Sequence, residues 1–427
     1  MYLKKCWLRL EVKKKMSESS NTKMDRTYYI IVTVSSLILF YMGVLTRHGI
    51  DYGTHISSME ITPLRPLLNP LNWFSYFRER GYPLWHITGH FFMRVFNCPA
   101  DYAGGINSGV YLVLSYIGVI KIMKYLLAEV KQRSIAILSF VLLIVAPVWL
   151  PWINKYIVLH VGGVNVWHNA TNICGRAIGI LAFYFSMRLL DNIVESDYVY
   201  LPSLKDGILL AFLYLMSLLA KPSFAQTFAP AFGLLLIFQL IKSKGKFLKQ
   251  FLAFAAIAIF PALRLGFQFF RYFGTAGGSE VINKQIRGVR ILVELPASNV
   301  LANVLKSQFL VLLFPILMVI VTKLAKRKLD RYHAISWLME LLGVCYVLFL
   351  KGAAAGEMGW AYYIAEFFVF LVGIRDYMKI FYSEESFFSR SWVQITLFTL
   401  STLVLVEHTI IGGVYLHKMI VGGARIF

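Results

Sequence analysis

Charge is scarce in this chain, and acidic charge scarcest. Of 427 residues only 15% are charged, and 22 Asp and Glu stand beside 43 Lys and Arg. A soluble globular domain carries roughly 25%, so an ordinary water-exposed surface is excluded for most of the length. Cysteine is sparse too: Cys6, Cys98, Cys174 and Cys345 show no paired spacing. That leaves no metal or redox motif, and they read as small apolar fillers. The glycines Gly274, Gly277 and Gly278 match no nucleotide-binding fingerprint, because no strand and helix frame them. No ATP site is visible, and there is no internal repeat of the kind many transporters carry.

What the chain has in abundance is apolar surface. Hydrophobic residues make up 58% and aromatics 15%, with a mean hydropathy of +0.63. Apolar runs of about 18 residues recur, each enough to cross a hydrocarbon core of roughly 30 Å as a helix. The predicted spans are Thr27 to Leu45, Gly104 to Leu126, Ile135 to Trp152, Ile173 to Leu190, Gly207 to Ala220 and Phe224 to Ile241. Further runs cover Phe251 to Phe269, Phe309 to Lys323, Ala334 to Leu350, Trp360 to Ile374 and Val393 to Leu416. The expected fold class is all-α: a polytopic transmembrane bundle of about eleven spans. It divides into a basic tail over 1–26 and one transmembrane domain over 27–427, in which 46–103 form a long first external loop.

The tail carries Lys4, Lys5, Arg9, Lys13, Lys14, Lys15, Lys23 and Arg26 and no apolar core like that of a cleaved signal peptide, so the first span is expected to stay as an anchor. A net charge of +21 raises nucleic acid as a partner, but its placement argues for membrane topology instead. From a cytoplasmic N-terminus, the even-numbered connections fall inside. They hold Lys121, Lys124, Lys131 and Arg133, then Lys242 to Lys249, then Lys323 to Arg331. Basic residues concentrate in cytoplasmic loops, so a multi-pass cell-membrane protein with its N-terminus in the cytoplasm is expected, and no nucleic acid.

That orientation exposes a second asymmetry. His48, His55, His86, His90, His160, His168 and His417 fall in outside connections and His408 in the outer half of the last span, leaving only His333 inside. Arg176, Lys221, Arg264, Glu366 and Glu407 map to outer halves or outer ends as well. Any one of these reads as a snorkelling or hydrogen-bonded side chain. Ionisable groups at membrane depth are expensive and face a protein interior or wet cavity, so together they predict an extracytoplasmic polar cavity.

The first outside connection, from Arg47 to Ala103, is far longer than a typical loop of about five residues. "RHGIDYGTHISSME" places Asp51, His55 and Glu60 directly after the first span. Pro66, Pro70 and Pro83 break two amphipathic stretches, whose Leu68, Leu71, Trp73, Phe74 and Phe77 face lipid while Arg78, Glu79 and Arg80 face water. His86 and His90, four apart, share a helical face. They read as a metal pair, or as side chains that line a polar groove or hydrogen-bond to neighbours.

A long external loop of interfacial helices, an acid just past the first span, and "GYPLWHITGHFF" leading to the second resemble the GT-C superfamily of membrane glycosyltransferases. These transfer a sugar from a polyprenyl-phosphate carrier outside the membrane. The resemblance covers roughly the first hundred residues in motif and the rest in topology. It implies that Asp51 is the base and that Tyr82, Pro83, Leu84 and Trp85 form the Pro-Leu-aromatic segment that follows it. Many members carry two neighbouring acids, whereas "DYGTH" supplies one and the next is Glu60. A divalent metal therefore stays open, and no other cofactor is expected.

Sugar transfer needs a general base and cations or amide donors around the departing phosphate. Asp51 supplies the first, with His55 or His86 as assistant. Arg176, Lys221 and Arg264 suit the second, Arg by its fork and Lys by its point charge. "GVNVWHNATN", Gly163 to Asn172, is too polar to span, and its Trp167, His168 and Asn169 suit sugar hydroxyls and faces. Lys221-Pro222 interrupts the chain at a membrane boundary, as a partly unwound site or a plain tight turn. Gly274 to Arg290 reads as a flexible basic lid or a basic surface helix, and Glu357 joins the site from "KGAAAGEMGWAYY". The expected partners are a polyprenyl-phosphate sugar donor, a glycan or lipid acceptor, and membrane lipids. The alternatives are a polysaccharide polymerase or ligase, and a transporter or flippase.

Overall fold

The computed structural model describes residues 25–48, 51–60, 81–153, 157, 162–273, 290–291, 298–351, 353–383 and 391–421. Thirteen helices occur among the described residues. They are α1 (Arg26–Leu45), α2 (Tyr52–Glu60), α3 (Leu84–Val95), α4 (Ala100–Leu126), α5 (Gln132–Leu142), α6 (Ala170–Glu195) and α7 (Leu204–Ala220). The chain continues with α8 (Ser223–Lys242), α9 (Leu248–Phe273), α10 (Ser298–Leu324), α11 (Arg331–Phe349), α12 (Ala353–Phe381) and α13 (Trp392–Val421). A two-residue antiparallel ladder pairs β1 (Arg290–Ile291) with β2 (Leu350–Lys351). The chain is thus an all-helical, multi-pass membrane bundle.

Among the described residues eight helices are long and apolar enough to cross a membrane, by length and composition: α1, α4, α6, α8, α9, α10, α11 and α13. That corrects the expected eleven. The run from Ile135 to Trp152 gives only an 11-residue helix, α5, before the backbone unwinds. The run from Gly207 to Ala220 lies on α7, which has 17 residues and falls short of a full crossing at 1.5 Å each. The tenth run lies inside the 29-residue α12, which adds Glu357, Glu366, Arg375 and Asp376 to its apolar stretch.

Burial explains why α12 tolerates charge. Residues Phe367 to Ile374 are all buried, packed against α8, α10 and α11, so this helix meets protein rather than lipid. Helix α1 is the opposite case. Tyr29, Ile30, Leu37 and Tyr41 are exposed, as a peripheral helix facing acyl chains requires. It holds to α4 through backbone contact: a methyl group at Gly43 would lie 2.5 Å from Cα of Gly109. Gly43→Val is expected to cost about 1–3 kcal/mol by overpacking. Thermal unfolding in lipid measures this, and an unchanged midpoint would contradict the close seam.

The unwound backbone after α5 lies inside the bundle, where its polar groups are satisfied by protein, as the hydrocarbon region demands. Asn165 donates its amide to the carbonyls of Leu142 and Val145, at 2.9 and 2.8 Å. Ala146 exchanges bonds with α13, donating to the His408 carbonyl at 3.0 Å, while its own carbonyl meets the His408 ring at 2.5 Å. The glycine at 412 makes room for this segment, since a Cβ there would overlap the carbonyl of Ile144.

At the end of the bundle remote from the first loop, buried charge is closed on itself. Arg375 meets Asp330 and Asp376 at 2.7 Å each, and His333 bridges the same two acids at 2.9 and 2.6 Å. Burial pushes the Asp330 carboxyl up, but the His333 hydrogen bond and the Arg375 charge outweigh it and hold it well below the usual range. Nearby, Asp191 accepts from Tyr125, Arg331 and Tyr332 at 3.0, 2.8 and 2.7 Å. These networks fasten α4, α6, α11 and α12 together, so His333 has a structural partner set.

Candidate functional site

At the first-loop end, residues from three distant parts of the chain meet at one amide. Asn169 is the N-cap of α6, its Oδ1 accepting from the Asn172 N–H at 3.0 Å, so the need for a cap fixes where its side chain stands. The same Oδ1 lies 3.4 Å from Nζ of Lys221. Its Nδ2 donates to Oδ2 of Asp51 at 2.9 Å. One neutral side chain therefore separates a carboxylate from an ammonium and orients both.

Lys221 is placed by the proline after it. A residue before proline is pushed out of the helical region, and Lys221 is extended (φ −170°), ending α7 just before α8 begins. Its side chain is 3% exposed. The ammonium lies 4.3 Å from the ring centre of Trp360 and 5.9 Å from that of Tyr82, so aromatic faces replace part of its hydration. Tyr82 is held from α9: Arg264 donates to the Gly81 carbonyl at 3.0 Å, and Gln268 bonds the same oxygen. The Lys221-Pro222 break is thus part of the polar cluster, and Arg264 reaches it through Gly81.

The histidines pair unevenly. His55 Nδ1 lies 3.2 Å from Nε2 of His86, joining α2 to α3. His90 takes the hydrogen-bonded alternative of its expected roles: it meets the Met59 carbonyl at 3.1 Å and accepts from Arg94. The first contact fastens α3 to α2, the second stays within α3, and neither builds a ligand set. Trp85 sits wholly buried between them and α4, donating to Ser108 at 3.2 Å, while Tyr52 donates to the same hydroxyl at 2.8 Å. Among the described residues no group of three or more His, Cys, Asp or Glu converges to hold a metal ion.

His168 is buried, its Nδ1 2.7 Å from the Tyr415 hydroxyl and its ring 5.9 Å from Trp360. Burial lowers its pKa to about 4, with Lys221 adding to the shift and Asp51 opposing it. Burial, then His86, then Lys221 lower His55 to about 3. Both imidazoles are therefore neutral near pH 7 and able to accept a proton or hydrogen bond. Their stability contribution has a definite sign. As pH falls below the ordinary 6.5, the unfolded chain takes up protons that the folded histidines refuse. Stability is expected to decline from pH 6.5 down towards 4, and His55→Gln to flatten that decline. Unfolding midpoints across pH 4–7 test this, and a midpoint that rises on acidification contradicts it.

Beside the polar cluster an apolar cavity of about 280 Å³ runs between α7, α8 and α9. Phe224, Phe228 and Phe232, one helical turn apart on α8, line it as a stack with ring centres 4.6 and 5.1 Å apart. Leu218 and Phe224 line its wall on either side of Lys221-Pro222, and Leu265 does so next to Arg264. The cavity wall thus comes from residues that neighbour the two cations in sequence, and neither cation itself lines it.

Asp51, His55, His86, His168, Asn169 and Lys221 are brought together, with Arg264 reaching them through the Gly81 carbonyl. Trp167 is buried in the core behind His168. Arg176 stands deeper on α6, bonded to Asn165 and 5.3 Å from the ring centre of Phe367. Glu357 falls on α12 in a stretch whose side chains lie outside the described residues, as do the amphipathic stretch from Pro66 to Arg80, the lid from Gly274 to Lys284 and Arg287, and His160. Sequence reading missed Tyr415, Asn165 and Ser108. Asn165 sits in the quoted polar stretch and was within reach, whereas nothing local marks Tyr415, whose partner is 247 residues away. No family model matches the chain, and no curated protein or solved structure matches it.

Proposed function

We propose that the chain is a membrane glycosyltransferase that moves a sugar from a polyprenyl-phosphate carrier to a hydroxyl of a cell-surface glycan or lipid, on the extracytoplasmic face. The observation that carries this reading is the Asp51–Asn169–Lys221 array beside an apolar cavity between α7, α8 and α9. It supplies a carboxylate, a cation and a place for an acyl or isoprenoid chain in one line. Orientation follows from the basic connections, which put the first loop and this array outside.

In this reading the Asp51 carboxylate takes the proton of the acceptor hydroxyl, and the freed oxygen bonds to the anomeric carbon of the sugar. The bond from that carbon to the carrier phosphate breaks, and the phosphate leaves with the electron pair. Lys221 stabilises the charge that develops on it, with Arg264 as a second cation anchored on the Gly81 carbonyl. The isoprenoid tail lies along Phe224, Phe228 and Phe232. Trp360 and the neutral His168 meet the sugar.

Purified protein in lipid, given a panel of polyprenyl-phosphate sugars, is expected to bind one and transfer or release its sugar. No binding or turnover with any donor, together with solute flux in proteoliposomes, would replace the enzyme with a transporter. Lys221→Met is expected to raise the donor Kd at least about tenfold, or 1.4 kcal/mol, without loss of folded protein. A donor titration of the variant measures it, and an unchanged Kd removes Lys221 from the phosphate.

A further inference from the structure

Below Asn169, the same face of α6 carries two more polar side chains. Asn169, Asn172 and Arg176 are spaced three and four apart, so they stack one turn above another. The lower two have no ordinary explanation. Asn172 is 4% exposed, yet neither its amide nitrogen nor its oxygen has a hydrogen-bond partner. Arg176 is 5% exposed; it donates from Nη1 to Asn165 Oδ1, and its Nε has no partner. Asn165 is itself fixed, because its amide nitrogen is used by the carbonyls of Leu142 and Val145.

Charge is the sharper difficulty. A guanidinium does not lose its proton in proteins, and a buried unpaired charge is strongly disfavoured. Among the described residues no carboxylate lies within ion-pair distance of Arg176. Phe367 offers the guanidinium a ring face at 5.3 Å, and Asn165 offers it a dipole, but neither brings a negative charge. The first turns of α6 add the positive end of a helix dipole.

Asn172 and Arg176 line one small cavity together with Val164, Val166, Ile173, Tyr363 and Ile364. It has about 10 Å³ open to the centre of a water-sized body, which is about what one such body needs. Water there satisfies donors but leaves the charge uncompensated. A phosphate group is too large for it.

We infer that this chamber binds a single monatomic anion of chloride size, held by the Nε–H of Arg176 and the amide of Asn172. The ion completes the charge of Arg176 and keeps Asn165 in place. Glu366 fixes the same strand further up by accepting from the Gly163 N–H at 2.7 Å. The anion thus steadies the stretch that ends in His168 and Asn169, and it takes Arg176 out of the set of phosphate-binding groups. The inference is independent of the transferase reading, since it needs no donor and is read by unfolding alone.

The experiment is thermal unfolding of the full chain in lipid, with chloride or bromide replaced by gluconate at constant ionic strength. The midpoint is expected to rise with halide and to saturate, by roughly 5 °C at concentrations well above Kd. Arg176→Gln is expected to lose the response. Should that variant not fold, Asn172→Asp decides the matter, because it places a carboxylate four residues from Arg176 and supplies the missing charge. It is expected to match the halide-bound parent in gluconate and to ignore halide. A parent midpoint equal in chloride, bromide and gluconate overturns the inference, as does an Asn172→Asp variant that still responds to halide. A midpoint raised only by a polyprenyl-phosphate sugar, and not by halide, overturns it too, since that ligand is read at Lys221.

Discussion

Asp51→Asn is expected to lower sugar transfer at least about 100-fold, at the lower end of what a positioned general base contributes, while the yield of folded protein stays that of the parent. The substitution is close to isosteric. Asn169 can still donate its Nδ2–H to the new amide oxygen, so the bridge to Lys221 survives and only the basic oxygen is lost. That separation makes the variant informative: donor binding should persist, because the groove and Lys221 are untouched. Turnover is measured with a saturating polyprenyl-phosphate sugar, and retention of a large fraction of parental activity would leave Asp51 a purely structural acid. His55→Gln should cost less, since the His55 ring is held by His86 and shows no contact with Asp51 beyond the backbone bond of α2.

The second large effect is on stability. Arg375→Met is expected to destabilise the protein by about 3–5 kcal/mol, the usual cost of breaking a buried ion pair by removing one partner. Arg375 is 1% exposed and answers two carboxylates at 2.7 Å. Without it His333 alone faces both acids, at the contact between α11 and α12. Adding Asp376→Asn should recover part of the loss by removing one orphaned charge. Unfolding midpoints and folded yield in lipid report both variants. A single variant as stable as the parent would mean that lipid headgroups or water already neutralise this cluster.

The membrane class was legible because it depends on composition, and nearly every described spanning helix begins or ends within a few residues of its apolar run. The span count was not legible, because hydropathy assumes that a crossing helix meets lipid. Helix α12 meets protein on all sides over Phe367 to Ile374 and so carries Glu366, Arg375 and Asp376 at little apparent cost to its place in the bundle. The unwinding after α5 was hidden for a related reason. Its carbonyls are satisfied by Asn165 and His408 from far along the chain, and no local pattern records such partners.

Within the site, the polar stretch holding His168 and Asn169 and the break at Lys221-Pro222 stood out as misplaced polarity in an apolar chain. What could not be read was their meeting, since Asn169 is 118 residues from Asp51 and 52 from Lys221. The His86–His90 spacing was read with its outcome among the alternatives, as side chains that hydrogen-bond to neighbours. It marks one helical face, as expected, and that face is used to seat α3 on α2.

The contact between His168 and Tyr415 sets an order on the making of this protein. Segments emerging early supply Asp51, Asn169 and Lys221, yet the ring of His168 is held by α13, whose His408 also bonds the Ala146 carbonyl and whose Gly412 seats the unwound segment. A nascent chain halted before Trp392 therefore inserts with its polar residues present and its site unfinished. The polar cluster around His168 takes its final arrangement only once synthesis has passed the point at which α13 packs.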